Sequence, residues 1–171
     1  MDTRRKKLIG IMKFIGIKSI SDIKESQNPE EDDKSFELRM RIQKIMFFVV
    51  NSKADPDLNY SYPIYLRGPY STELYKDYFS ISEKEYNDSK NINEEDRLSL
   101  LHILDLLQAL KEKETIWLEI ASTLKMLKDA NWKDKEAIDR VIEMKRNILD
   151  QNNKDPSYVK RVWQEMKELN L

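Results

Sequence analysis

The chain has 171 residues, 36% of them charged, with 30 Lys and Arg against 31 Asp and Glu for a formal net charge of −1, and it has no cysteine. That length suits one hydrophobic core rather than two. Near-neutrality gives no global field that would draw the chain to nucleic acid or an anionic membrane, and the lack of thiols excludes disulfides, thiolate metal sites and a cysteine nucleophile. With no secretory apolar segment and a longest apolar run of only Ile45 to Val50, the expectation is a cytoplasmic protein with no membrane span.

The chain opens basic. Within residues 1–24, Arg4, Arg5, Lys6, Lys7, Lys13, Lys18 and Lys24 face only Asp2 and Asp22, and the acidic run Glu30 to Asp33 follows. Leu8, Ile11, Met12 and Ile15 share one helical face that stops at Gly16, a residue suited to the left-handed position after a helix. Ser19 can cap a short second helix over Ile20 to Lys24. Gln27 to Lys34 is charged and reads as a linker. Residues 1–34 are therefore expected to form a basic helical arm with an acidic linker, and 35–171 a helical domain with one short strand near 60–67.

Phe36 to Asn51 carries Leu38, Ile42, Ile45, Met46 and Val49 at helical spacing and turns wholly apolar in its second half, as a buried spine would. Arg39, Arg41 and Lys44 are placed on its outer side, where they could meet phosphates or remain solvated.

The next stretch is the distinctive one. Six of the eight tyrosines fall between Asn59 and Ile81, so any specialised surface is expected there. Tyr60, Tyr62, Ile64 and Leu66 alternate with Ser61, Pro63, Tyr65 and Arg67, the period of a half-buried strand, and Pro63 confines that strand to an edge. Gly68-Pro69 then predicts a turn. Ser71 predicts the cap of a helix from Thr72, with Glu73 favourable in its first turn and Leu74, Tyr75 and Tyr78 along one face. Gly68, Pro69 and Ser71 are accordingly structural candidates.

Ser82 to Asn91 is polar and aperiodic, a loop or frayed helix. A helix is expected from Asn93, striped by Leu100, Ile103, Leu104, Leu107 and Leu110 and broadened by Leu98, Leu101 and Leu106 until it looks buried on more than one side. His102, the only histidine, lies within it and reads as packed or solvated. Three more helices follow, lined by Ile116 to Leu127, by Ile138 to Leu149 and by Val159 to Leu169. Asn131 is a candidate cap for the second, and Asp155-Pro156 for the third.

Catalytic patterns are missing from the sequence. Three glycines at 10, 16 and 68 cannot build a phosphate loop, and one histidine without cysteine excludes the usual zinc sites. Pro56-Asp57 together with the triplets Glu143-Met144-Lys145 and Glu165-Met166-Lys167 echoes a nuclease pattern, but the triplets fall in helical stretches of a chain rich in Glu and Lys. No catalytic residue, metal or cofactor is expected.

Two stretches resemble a known family. Arg41-Ile42-Gln43-Lys44-Ile45-Met46-Phe47-Phe48 resembles the Leu-Gln-Lys helix of the YwgA-like proteins, and Gly68-Pro69-Tyr70-Ser71 with Glu73-Leu74 resembles their Gly-Pro-Tyr-Ser-x-Glu-Leu signature; Thr72 stands where those proteins carry proline. Trp117 to Leu127 and Ala137 to Lys145 are similar to their closing helices. That family is similar in turn to the Panacea or SocA-like antitoxin domain. The resemblance implies a mainly α domain with a small strand or wing element, of which the winged helix is one form, and binding rather than catalysis.

Two functions are carried forward. The first is a non-enzymatic protein-binding module, antitoxin- or adaptor-like, in which Tyr65, Arg67, Tyr70 and Tyr75 hold an unidentified partner, since tyrosine and arginine dominate interface hot spots. The alternative is a nucleic-acid-binding regulator of winged-helix type in which Arg4, Arg5, Lys6, Lys7, Arg39, Arg41 and Lys44 contact phosphates.

Overall fold

Apolar residues at helical spacing dominate the chain, and the computed structural model is accordingly built from helices around one buried cluster. It describes residues 3–25, 27–65, 68–88, 98, 100–101 and 103–171. Helix α1 spans Thr3–Phe14 and ends where expected, at Gly16 with φ +98°, the Ile17 N–H returning to Met12 O at 3.0 Å. A 3₁₀ turn, Ile20–Ile23, follows under a capping box in which Ser19 and Asp22 each satisfy the other's backbone.

The expected linker is instead the start of the longest helix, α2, Pro29–Asn51. Three local features explain this. Asn28 Oδ1 accepts the Glu30 N–H at 3.2 Å, Pro29 occupies the first helical position, and Glu30, Glu31 and Asp32 sit at the positive end of the macrodipole. The acidic run is thus an N-terminal helix signal, and no boundary falls at residue 34. The basic arm is not detached either: Leu8, Ile9, Ile11 and Met12 are buried in the same cluster as Ile42, Ile45 and Phe48.

The strand is much shorter than the alternation suggested. Only Ile64–Tyr65, β1, forms a ladder, antiparallel to β2, Gly68–Pro69, in the register Ile64 with Pro69 and Tyr65 with Gly68. Gly68-Pro69 is therefore the return strand rather than the turn itself. Helix α3, Thr72–Phe79, begins as expected under Ser71, whose Oγ accepts the Leu74 N–H at 3.2 Å.

The segment expected as a loop or frayed helix contains the short helix α4, Glu83–Asp88, anchored by buried Tyr86, whose hydroxyl donates to Ile17 O at 2.7 Å. The expected start of the following helix, with His102, lies outside the described residues. Leu100, Ile103, Leu107 and Leu110 are buried, but Leu98 and Leu101 are half exposed, so the leucine stripe faces the core on one side only. Helices α5, Leu104–Lys111, α6, Thr115–Asp129, α7, Asp134–Gln151, and α8, Ser157–Glu168, complete the fold. Asn131 does not cap α7. At φ +64° it is the left-handed residue closing α6, with Trp132 N–H returning to Leu127 O at 3.1 Å. Asp155 Oδ1 accepts the Ser157 N–H at 2.7 Å, but α8 opens one residue later than expected, with Pro156 rather than Asp155 at the cap position.

Helix α6 is central: α2, α7 and α8 all pack against it, and β2 lies across it. Trp117, Leu118, Ile120, Ala121 and Leu124 are buried there. No helix among the described residues is long and apolar enough to cross a membrane.

Candidate functional site

The tyrosine corner is assembled by the hairpin and α3. Tyr65 projects from β1, 46% exposed, and its ring meets Tyr70 edge-on at 5.6 Å between centroids. Tyr70 lies 6.5 Å from Tyr75, and Tyr75 packs 4.4 Å from Phe79 and 5.6 Å from fully buried Tyr78. The rings form a ladder from solvent to core, so that three of the four residues expected at a protein contact are contiguous. The fourth, Arg67, lies outside the described residues. Burial raises the Tyr70 and Tyr78 phenols above their ordinary range, which keeps both hydroxyls neutral and able to donate.

Beneath the ladder the backbone is gripped by two polar side chains of α2. Gln43 turns its amide along Ser71, Nε2 donating to Ser71 O at 2.9 Å and Oε1 accepting Ser71 N–H at 2.8 Å. Lys44, fully buried, donates from Nζ to Pro69 O at 2.7 Å. From the other side Thr123 of α6 presses on Gly68, whose φ is +89°; a Cβ there would lie 2.4 Å from Thr123 Oγ1. Thr123 Oγ1 donates to Glu119 O at 2.8 Å, and Glu119 is ion-paired with Lys145 at 2.9 Å, both side chains buried. The stretches that carry the family resemblance therefore touch one another in space.

The cations proposed for phosphate contact are placed differently from expectation. Arg4 pairs with Glu73 at 2.6 Å and Asp77 at 3.0 Å and lies over the Tyr60 ring. Burial lowers the Arg4 guanidinium's affinity for its proton, but the Glu73 hydrogen bond and the Asp77 charge outweigh it and leave the value raised. Arg5 pairs with Glu85 at 2.7 Å and donates to Ser80 O. Lys7 is buried between Asp55, 2.9 Å, and Asp57, 2.6 Å. Lys6 is half-buried.

On α2, Arg39 donates to Ile23 O at 3.0 Å and stacks near Phe36. Arg41 donates to Lys111 O at 2.8 Å and Lys113 O at 2.7 Å, serving the carbonyls at the end of α5. Burial lowers its pKa. Arg41 and Lys44 thus face inward, correcting the outer-side placement. The reason is spatial: a long cationic side chain bordering an apolar face can reach the orphan carbonyls of neighbouring turns, which period alone does not reveal.

Sequence reasoning missed Gln43, Glu119, Thr123 and Lys145 as contributors to this corner. Polar Gln43-Lys44 inside an otherwise apolar run was the available signal, because a buried amide or ammonium requires a partner. No group of three His, Asp or Glu side chains among the described residues is arranged to hold a metal. No family model matches the chain, and neither a curated protein nor a solved structure matches it.

Proposed function

We propose that the protein is a non-enzymatic protein-binding module whose docking face is the ladder Tyr65, Tyr70 and Tyr75, with Arg67, two residues beyond Tyr65 in the sequence, as a further anchor. The observation that carries this is the continuity of the ladder from an exposed ring to a buried one. Tyrosines offer broad amphipathic contact at low conformational cost, and rings braced against each other lose little further freedom on binding. An antitoxin- or adaptor-like role follows the family resemblance.

The placement of the cations also favours a protein partner. Arg4, Arg5, Lys7, Arg39, Arg41 and Lys44 already make internal contacts, and a phosphate would have to displace them.

Capture from nuclease-treated cell extract, compared across variants, tests the reading. Tyr70→Ala abolishes capture of the partner, whereas Arg41→Ala, judged at equal folded fraction, preserves it. Tight duplex DNA binding at physiological salt, with log K falling by about 0.9 per phosphate against log salt and weakened by Arg41→Ala, would replace this reading with the regulator.

A further inference from the structure

We infer that Gln43 and Lys44 are positioning residues of the docking face: they touch no partner, and they hold the backbone of the corner in the one conformation that aligns its tyrosines. The inference rests on the docking reading only for what the corner is used for.

Ser71 carries two duties. Its hydroxyl caps α3, while its backbone N–H and C=O face α2. The C=O also opens α3 by accepting the Tyr75 N–H at 3.1 Å, whereas the N–H belongs to no helix or ladder and in a buried loop would be orphaned. Gln43 satisfies both at once, acting as one rung of a strand would, and because an amide needs its donor and acceptor side by side, the clasp fixes Ser71 in orientation as well as in distance. Lys44, one residue on, holds Pro69 O by a single donated hydrogen bond at 2.7 Å. The two held residues bracket Tyr70, the middle ring of the ladder. Tyr70 is therefore set from both sides by side chains that lie beneath it, and Thr123 against Gly68 closes the third side. The hairpin ladder is only two residue pairs long, too little to impose this geometry alone.

Residue-resolved amide hydrogen exchange tests the inference without any partner, so its failure is separate from failure of the docking reading. In the unaltered protein the Ser71 amide exchanges at least about tenfold more slowly than the Thr72 amide, the order set by one hydrogen bond, since Thr72 opens α3 where helix geometry supplies no acceptor. Gln43→Leu speeds Ser71 exchange by about tenfold, again one hydrogen bond's worth, and leaves the Val49 amide in the same helix unchanged. Lys44→Met reduces the near-UV circular dichroism of the tyrosines while the helical far-UV signal is retained. Equal exchange of Ser71 and Thr72 in the unaltered protein would overturn the inference. So would a Gln43→Leu effect that loosens Ser71 and Val49 alike, because Gln43 would then be a packing residue and nothing more. Should Gln43→Leu not fold, the Ser71 and Thr72 comparison and Lys44→Met decide the matter.

Discussion

Gly68→Ala separates the packing of the corner from ordinary glycine strain. At φ +89° any L side chain pays for the left-handed region, about 1–2 kcal/mol. The added methyl would also lie 2.4 Å from Thr123 Oγ1. Thr123 is fully buried and its hydroxyl donates to Glu119 O, so relief means breaking that bond or lifting β2 from α6, an overpacking cost of about 1–3 kcal/mol. The sum is about 3 kcal/mol, or about 6–12 °C in Tm for a chain of this size. Gly16→Ala is the control. Its φ is +98° but nothing lies within 4 Å of the added carbon, so only the conformational part, about 1–2 kcal/mol, is lost. Urea and thermal unfolding followed by far-UV circular dichroism measure both. On a Thr123→Ala background Gly68→Ala falls to the Gly16 cost. Equal costs at the two glycines in the unaltered background would refute the seating of the corner on α6.

Three further outcomes follow from the same contacts. Lys7→Met strands Asp55 beneath α1 and costs about 3–5 kcal/mol, as does loss of one partner from other buried ion pairs, whereas Lys125→Met on the surface of α6 costs about 1 kcal/mol or less; chemical denaturation ranks the two. Stability falls as pH rises above about 10, the ordinary phenol range, because burial raises the Tyr60, Tyr62, Tyr78 and Tyr86 phenols in the folded chain and the unfolded chain ionises first. Phenolate absorbance then appears together with loss of helix, and smooth titration of these tyrosines in a chain that stays helical would contradict their burial. Arg41→Ala removes the hydrogen bonds at the end of α5 and lowers stability by about 1–3 kcal/mol, readable in the same urea titrations.

Periodicity carried most of the helical layout, because apolar stripes such as Ile116 to Leu127 and Val159 to Leu169 leave only one way to bury themselves. Capping residues carried the local detail at Gly16, Ser19 and Ser71. Errors arose where a signal had two meanings. The Glu30 to Asp33 run suits a solvated linker and the first turn of a helix equally, and the decision lay in Asn28-Pro29 just ahead of it. Alternation from Tyr60 to Arg67 predicted a longer strand, yet Pro63 lacks the donor a ladder needs and Tyr60 instead donates to Asp77 at 2.9 Å. Of the candidate site, the tyrosines were legible from composition alone. The supports were not, since Thr123 and Lys145 stand 52 and 74 residues beyond Ser71 in the chain, and only the packing of α6 and α7 brings them beneath it.

Site-specific photocrosslinking from Tyr65 tests the docking face most directly. A photoreactive phenylalanine analogue at that position, irradiated in nuclease-treated extract of the cells that make the protein, is expected to attach one predominant protein. Excess unlabelled chain should suppress that product, and the Tyr70→Ala chain should fail to suppress it. Attachment to many proteins without competition, or equal competition by Tyr70→Ala, would contradict the assignment of this corner as the docking face.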